Sequence, residues 1–197
     1  MSARMQESPV LSFAPLTPER WSDLEKLFGP RGACGGCWCM YWKLPRREYE
    51  VLRGEGTHQA LKALVDGGEV PGLLAYMNGE PLGWCALGPR EKYPPLARSR
   101  ILKPVDEEAV WSVVCFFVAR KHRRQGVMAA LLDAAVNYAR QKGAKIVEGY
   151  PVVPRKGSMP DIYAYTGTLS AFLKGGFVEV ARRSESRPLM RRAVTQD

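Results

Sequence analysis

The chain has 197 residues, a length suited to one domain that can bury a real core. Apolar residues make up 46% and charged residues 25%, and no apolar run approaches the roughly 20 residues a membrane helix needs, so a helical membrane protein is excluded. The net charge of +9 is uneven: residues 1–110 hold 14 basic and 14 acidic residues, whereas residues 111–197 hold 15 basic and 6 acidic.

Such asymmetry points to an anionic partner, whether nucleic acid, acidic lipid or a phosphorylated cofactor. The opening MSARMQESPV lacks the apolar stretch of a secretory signal, and five cysteines is an odd number in a chain too large to need disulfide staples. A cytoplasmic protein with free thiols is expected, as a monomer or homodimer.

Residues 10–16, VLSFAPL, read as a short strand. Thr17-Pro18-Glu19 reads as a helix start, with Thr17 as cap, and Gly29-Pro30 ends that helix. GACGGCWCMYW, residues 32–42, is loop by its glycines. Residues 46–67 predict a second helix, broken near Gly54-Glu55-Gly56. Asn78-Gly79 between two apolar runs predicts a hairpin with strands at 71–77 and 80–87. Residues 89–108 are Pro-rich and charged and read as a long loop, functional or mobile. AVWSVVCFFVA, residues 109–119, is a buried central strand. A basic turn leads into a helix with Val127, Leu131, Ala135 and Tyr138 on one face, ended by Gly143. AKIVEGYPV is a strand, TGTLSAFLKGG a short helix, and FVEVARR with RPLMRRAV a final antiparallel pair. The order β-α-α-β-β-β-α-β-α-β-β mixes a hairpin with a strand–helix–strand crossover, so an α+β domain with a mixed, mostly antiparallel sheet is expected.

The segment VCFFVARKHRRQGVMAALL, residues 114–132, carries the clearest chemistry. A buried strand ends, a basic turn follows, and a helix opens with Gly126 in its first turn. Helix N-termini present free N–H groups and a positive dipole end to phosphate, and glycine lets the backbone come close. Arg120, Lys121, Arg123 and Arg124 add charge there. A solvated basic turn or a nucleic-acid patch is the alternative. Neither G-x-x-x-x-G-K-[ST] nor G-x-G-x-x-G is present.

This segment resembles the acyl-coenzyme A motif [RQ]-x-x-G-x-[GA] of the GNAT superfamily of acetyltransferases, here Arg123-Arg124-Gln125-Gly126-Val127-Met128. Arg123 and Gly126 match, and Met128 replaces the small final residue. FFVARKH resembles the end of the family's fourth strand, and LSAFLKGGFVEVARR its last helix and following strand. With the hairpin, the resemblance spans about residues 10–192 of a single domain, 1–197. It implies acetyl-CoA lying where the fourth and fifth strands part. Phe117 and Val118 would pair with the pantetheine arm, and the N–H groups of Arg124 to Met128 would hold the pyrophosphate. A small-molecule or peptide amine would then attack the thioester directly.

The resemblance also implies a tyrosine in the last helix as the usual thiolate proton donor, but Phe172 stands there. Tyr165 and Tyr163 in DIYAYTGT are the replacements, or ordinary packing tyrosines. Glu148 is the candidate base, or a surface carboxylate; Glu107, Glu108 or a water chain are further choices. In GACGGCWCMYW, the family context implies an acceptor-pocket wall built by Trp38, Tyr41 and Trp42, whose flat faces suit apolar or cation–π contact. The alternative is that these rings cap the core. The C-W-C-M-Y-W stretch also resembles a segment of bacterial acetyltransferases, which implies no particular acceptor. Cys34, Cys37 and Cys39 supply at most three zinc ligands and no second ligand pair follows, so no metal is expected and buried thiols are the plain reading. No RRM, KH or helix-turn-helix pattern supports the alternative of a nucleic-acid-binding module, and the thiols alone carry the other, a zinc or thiol regulator.

Overall fold

The computed structural model describes residues 10–154 and 160–194. Seven strands form one sheet: β1 (Leu11–Pro15), β2 (Gly72–Met77), β3 (Glu80–Pro89), β4 (Trp111–Val118), β5 (Ile146–Gly149), β6 (Val178–Arg182) and β7 (Pro188–Ala193). Their spatial order is β1-β2-β3-β4-β5-β7-β6. Only β4 and β5 run parallel; every other neighbouring pair is antiparallel. This is the mixed, mostly antiparallel α+β sheet expected.

Helices cover both faces. On one lie α1 (Trp21–Phe28), α2 (Arg46–Leu52) and α3 (Glu55–Asp66), with the glycine-rich loop; on the other lie α5 (Val127–Gln141) and α6 (Leu169–Lys174). The strands serve the two cores alternately: Leu74, Trp84 and Val114 face the first, whereas Leu73, Cys85 and Val113 face the second. Burial on both sides explains why β2 to β4 read as unbroken apolar runs.

Helix α1 buries Trp21, Leu24 and Phe28, one stripe at helical spacing. Each such side chain contributes roughly 1.5–3 kcal/mol. The helix starts later than expected: Pro18–Arg20 is a 3-10 turn, and Thr17 makes no capping hydrogen bond but accepts one from Arg20 Nη1 at 3.4 Å. The expected break in the second helix falls at Gly54, whose φ of 97° separates α2 from α3. Asn78 and Gly79 both have positive φ, the turn that matches strand twist in a two-residue hairpin.

The segment 89–108 is not a plain loop. It holds a 3-10 turn at Arg90–Lys92 and a short helix α4 (Pro94–Arg98), and it buries Tyr93, Leu96 and Leu102. Proline at a helix start costs no hydrogen bond, so the composition that reads as loop also opens a helix. Arginines anchor the segment: Arg90 reaches the Leu102 carbonyl, and Arg183 binds the carbonyls of Lys103 at 2.6 Å and Pro104 at 3.1 Å. No described helix is long and apolar enough to cross a membrane.

Candidate active site

Strands β4 and β5 pair over three positions only, Trp111 with Val147, Ser112 with Glu148 and Val113 with Gly149. Beyond them β4 continues along β3 as far as Val118 opposite Gly83, so among the described residues 114–118 have no strand partner on the β5 side. Two features of sequence part the strands. Pro151 has no N–H with which to extend the ladder. Phe172 fills the space beside the separation, since a Cβ on Gly149 would stand 2.1 Å from its ring and one on Gly167 would stand 2.6 Å from it.

The gap opens into a cleft of about 1120 Å³. One wall is β4 from Cys115 to Val118, continued by His122, Arg123, Arg124, Gly126, Val127 and Met128 at the start of α5. Gly126 caps α5 with φ 80° and ψ −4°, and a Cβ there would meet nothing within 4 Å. The first-turn N–H groups therefore stand beside open space, with no carbonyl of the helix to accept them. Arg123 Nε donates to the Val118 carbonyl at 2.9 Å, tying the turn to the strand end. Gln125 does not line the cleft; its amide donates to the Lys121 carbonyl at 2.9 Å.

The opposite wall carries Tyr163 and Tyr165 from a 3-10 turn at Asp161–Thr166. Tyr163 is 59% exposed. Tyr165 is half-buried, with the Arg187 guanidinium 5.8 Å from its ring centroid. Burial pushes its hydroxyl up to about 12, against the pull of Arg187, so the phenol stays protonated at neutral pH.

The third wall comes from GACGGCWCMYW, which the structure divides. Tyr41 and Trp42 line the cleft, joined edge-to-face at 5.1 Å. Trp38 does not line it. It is 7% exposed, stacks on Trp21 at 6.2 Å and lies 4.3 Å from the His58 ring. Positive φ at Trp38 and Cys39 makes a kink that sends the two tryptophans different ways, and Gly32 makes room, since a Cβ there would lie 2.2 Å from Trp38 Nε1. For Trp38 the plain reading, a ring that caps the core, replaces the pocket wall.

Glu148 also needs correction. It is fully buried, is absent from the cleft lining and sits between Arg90 and Arg191, whose Nε lies 2.8 Å from Oε2. Tyr150 donates to its Oε1 at 2.6 Å, and Arg191 continues to Asp106 through two hydrogen bonds of 2.6 and 3.0 Å. A carboxylate with both oxygens committed in a closed network ties β5, β7 and the 89–108 segment together and faces no substrate. Phe172, fully buried against Phe177 at 4.9 Å, is likewise a packing residue.

Cys39 and Cys115 meet in the floor of the cleft with sulfurs 3.5 Å apart, and Trp84 Nε1 donates to Cys39 at 3.0 Å. Hydrogen bonding to Cys115 and burial raise the Cys39 thiol well above its ordinary value, which leaves it unreactive. Among the described residues no cluster of three or more His, Cys, Asp or Glu side chains is arranged for a metal. Among the cleft residues that the sequence did not single out are Tyr49, Arg53, Lys174 and Arg187. Arg187 carries no local signal; it is one of several arginines near the last strand.

A search of curated proteins finds no match. Among solved structures, an acetyltransferase of the GNAT family from Listeria monocytogenes aligns with TM-score 0.57 at 8% identity, covering 93% of this chain and 94% of the other. The PaiA N-acetyltransferase of Thermoplasma acidophilum, in complex with coenzyme A, aligns with TM-score 0.52 at 15% identity, covering 93% and 99%. An N-acetyltransferase from Staphylococcus aureus aligns with TM-score 0.53 at 11% identity, covering 94% and 99%. At these identities the likeness is one of fold. The sequence pattern of the Acetyltransferase (GNAT) family matches residues 38–158, more than half the chain. The chain belongs to the acetyltransferase (GNAT) family.

Proposed function

We propose that this single domain is a cytoplasmic N-acyltransferase that moves an acetyl group from acetyl-CoA to a primary amine by direct attack in a ternary complex. The observation that carries this reading is the parting of β4 from β5 in line with the Gly126 turn. It offers an unpaired strand edge for an extended amide-bearing arm and, at its end, a helix N-terminus for a pyrophosphate. Coenzyme A is the bound molecule of one fold neighbour, which agrees with that fit.

Phe117 and Val118 would hold the pantetheine arm. Arg124, Gly126, Val127 and Met128 would hold the pyrophosphate through backbone N–H groups, with Arg123 fixing the turn. Gln125 contributes its backbone alone. Tyr41 and Trp42 would flank the acceptor. Acetyl-CoA supplies the thioester; the amine nitrogen bonds to the carbonyl carbon and gives up one proton to water, the C–S bond breaks, and the departing sulfur takes a proton. Tyr165 is the proposed donor of that proton, with Tyr163 second. No base is assigned to Glu148.

Calorimetry with acetyl-CoA tests the site. Wild-type protein should bind, and Gly126→Trp should abolish binding by filling the open space beside the turn. Gly126→Ala is the control, since it carries the same strain of positive φ, about 1–2 kcal/mol, with little bulk. Unchanged affinity in a folded Gly126→Trp protein would reject the site.

A further inference from the structure

The coenzyme reading leaves Arg187, a cation at the far end of the cleft from Gly126, without an anion among the described residues. Arg187 is half-buried and donates to the Thr166 hydroxyl at 2.6 Å and the Tyr150 carbonyl at 3.4 Å, both neutral. The other arginines buried near it are treated differently: Arg90 pairs with Glu148, and Arg191 with Glu148 and Asp106. No carboxylate lines the cleft among the described residues, although Arg53, Arg123, Arg124, Lys174 and Arg187 all do. Withdrawing a guanidinium from water without a counter-charge is costly, so such a residue is poised for an anion that arrives with a ligand.

Its place argues against a coenzyme phosphate. Tyr150, which accepts from Arg187, follows the last β4–β5 pair, Val113 with Gly149. Gly126 lies past the other end of the free edge, beyond Val118, and five residues of strand cover about 16 Å. Arg187 shares its end with the aromatic rings: it lies over Tyr165, Tyr165 is 6.4 Å from Tyr41, and Tyr41 is 5.4 Å from Tyr49.

We infer that the acyl acceptor is an amino carboxylate with an aromatic or apolar body, its carboxylate held by Arg187 and its body set against Tyr41, Trp42 and Tyr49. This rests on the acetyltransferase reading of the cleft and names its acceptor class. Among the described residues a polyamine finds no carboxylate in the cleft, whereas an amino carboxylate brings its own charge. Surrounding positive charge favours the unprotonated amine, the form that attacks a thioester, which lightens the work of a base.

Calorimetry with two probes tests the inference: N-acetylphenylalanine, and N-acetylphenylalaninamide, which lacks only the charge. The acid should bind roughly tenfold tighter or more, the worth of a hydrogen bond to a charged partner. Arg187→Gln should erase most of that gap, and Arg187→Lys should keep part of it. The comparison on wild-type protein stands even if the variants fold poorly. Equal binding of acid and amide, or no binding of either at millimolar concentration, overturns the inference. So does an Arg187→Gln protein that weakens both probes alike, which would give Arg187 a structural or carbonyl-stabilising role. Acetyl-CoA titrated into the same sample separates the two readings: loss of acetyl-CoA binding removes the acyltransferase reading, while the acid–amide comparison still decides the anion site.

Discussion

Tyr165 and Tyr163 are two residues apart and differ mainly in burial, and burial separates their roles. Tyr165 faces the cleft half-buried beside Arg187, whereas Tyr163 is 59% exposed. Tyr165→Phe removes one oxygen and keeps the ring, so it should lower kcat by roughly ten- to a thousandfold with acetyl-CoA affinity nearly intact. Tyr163→Phe should change kcat little. Steady-state kinetics with an amine found by screening for thiol release measures both, and full activity in Tyr165→Phe would dismiss the donor. The pH profile adds a check. A proton donor is active below its pKa, and that of Tyr165 is raised from 10.0 to about 12. The kcat should therefore show no downturn near pH 10; one that disappears in Tyr165→Phe would contradict the environment described.

At the scale of elements, the parting of β4 from β5 depends on what packs behind it. Gly149→Ala would bring a methyl within 2.1 Å of Phe172 Cε1, and overpacking of this kind costs about 1–3 kcal/mol. Its denaturation midpoint should fall, with acetyl-CoA affinity weakened as the strands shift. Glu148 makes the sharper case, because a base and a structural carboxylate predict different results. Glu148→Gln leaves two guanidiniums without their shared charge, and breaking a buried pair costs about 3–5 kcal/mol. Chemical denaturation should show that loss at neutral pH. If stability is unchanged while kcat collapses, Glu148 is the base after all.

Over the whole molecule, the charge excess of residues 111–197 gathers partly at the turn that opens α5. Acetyl-CoA affinity should fall roughly three- to tenfold between about 0.05 and 0.5 M salt, as screening shortens the reach of those charges. Salt-independent binding would mean that the arginines do not meet phosphate. The fold was largely legible in the sequence, because hydrophobic period, Asn78-Gly79 and the stops at Gly29 and Gly143 are local signals that fix local geometry. The motif around Gly126 was legible for the same reason: a strand, a turn and a helix start lie within twenty residues. Trp38 and Trp42 were not separable, since four residues of loop hide a kink that only packing against Trp21 and His58 reveals. The helix at Pro94–Arg98 was hidden by its prolines. Glu148 and Arg187 were beyond sequence reading altogether. The Glu148 carboxylate is closed off by arginines 58 and 43 positions away, and the Arg187 guanidinium has no such partner among the described residues. Local chain chemistry sets elements and turns, but whether a charge is paired is settled by residues distant in sequence, and so only the tertiary structure decided it.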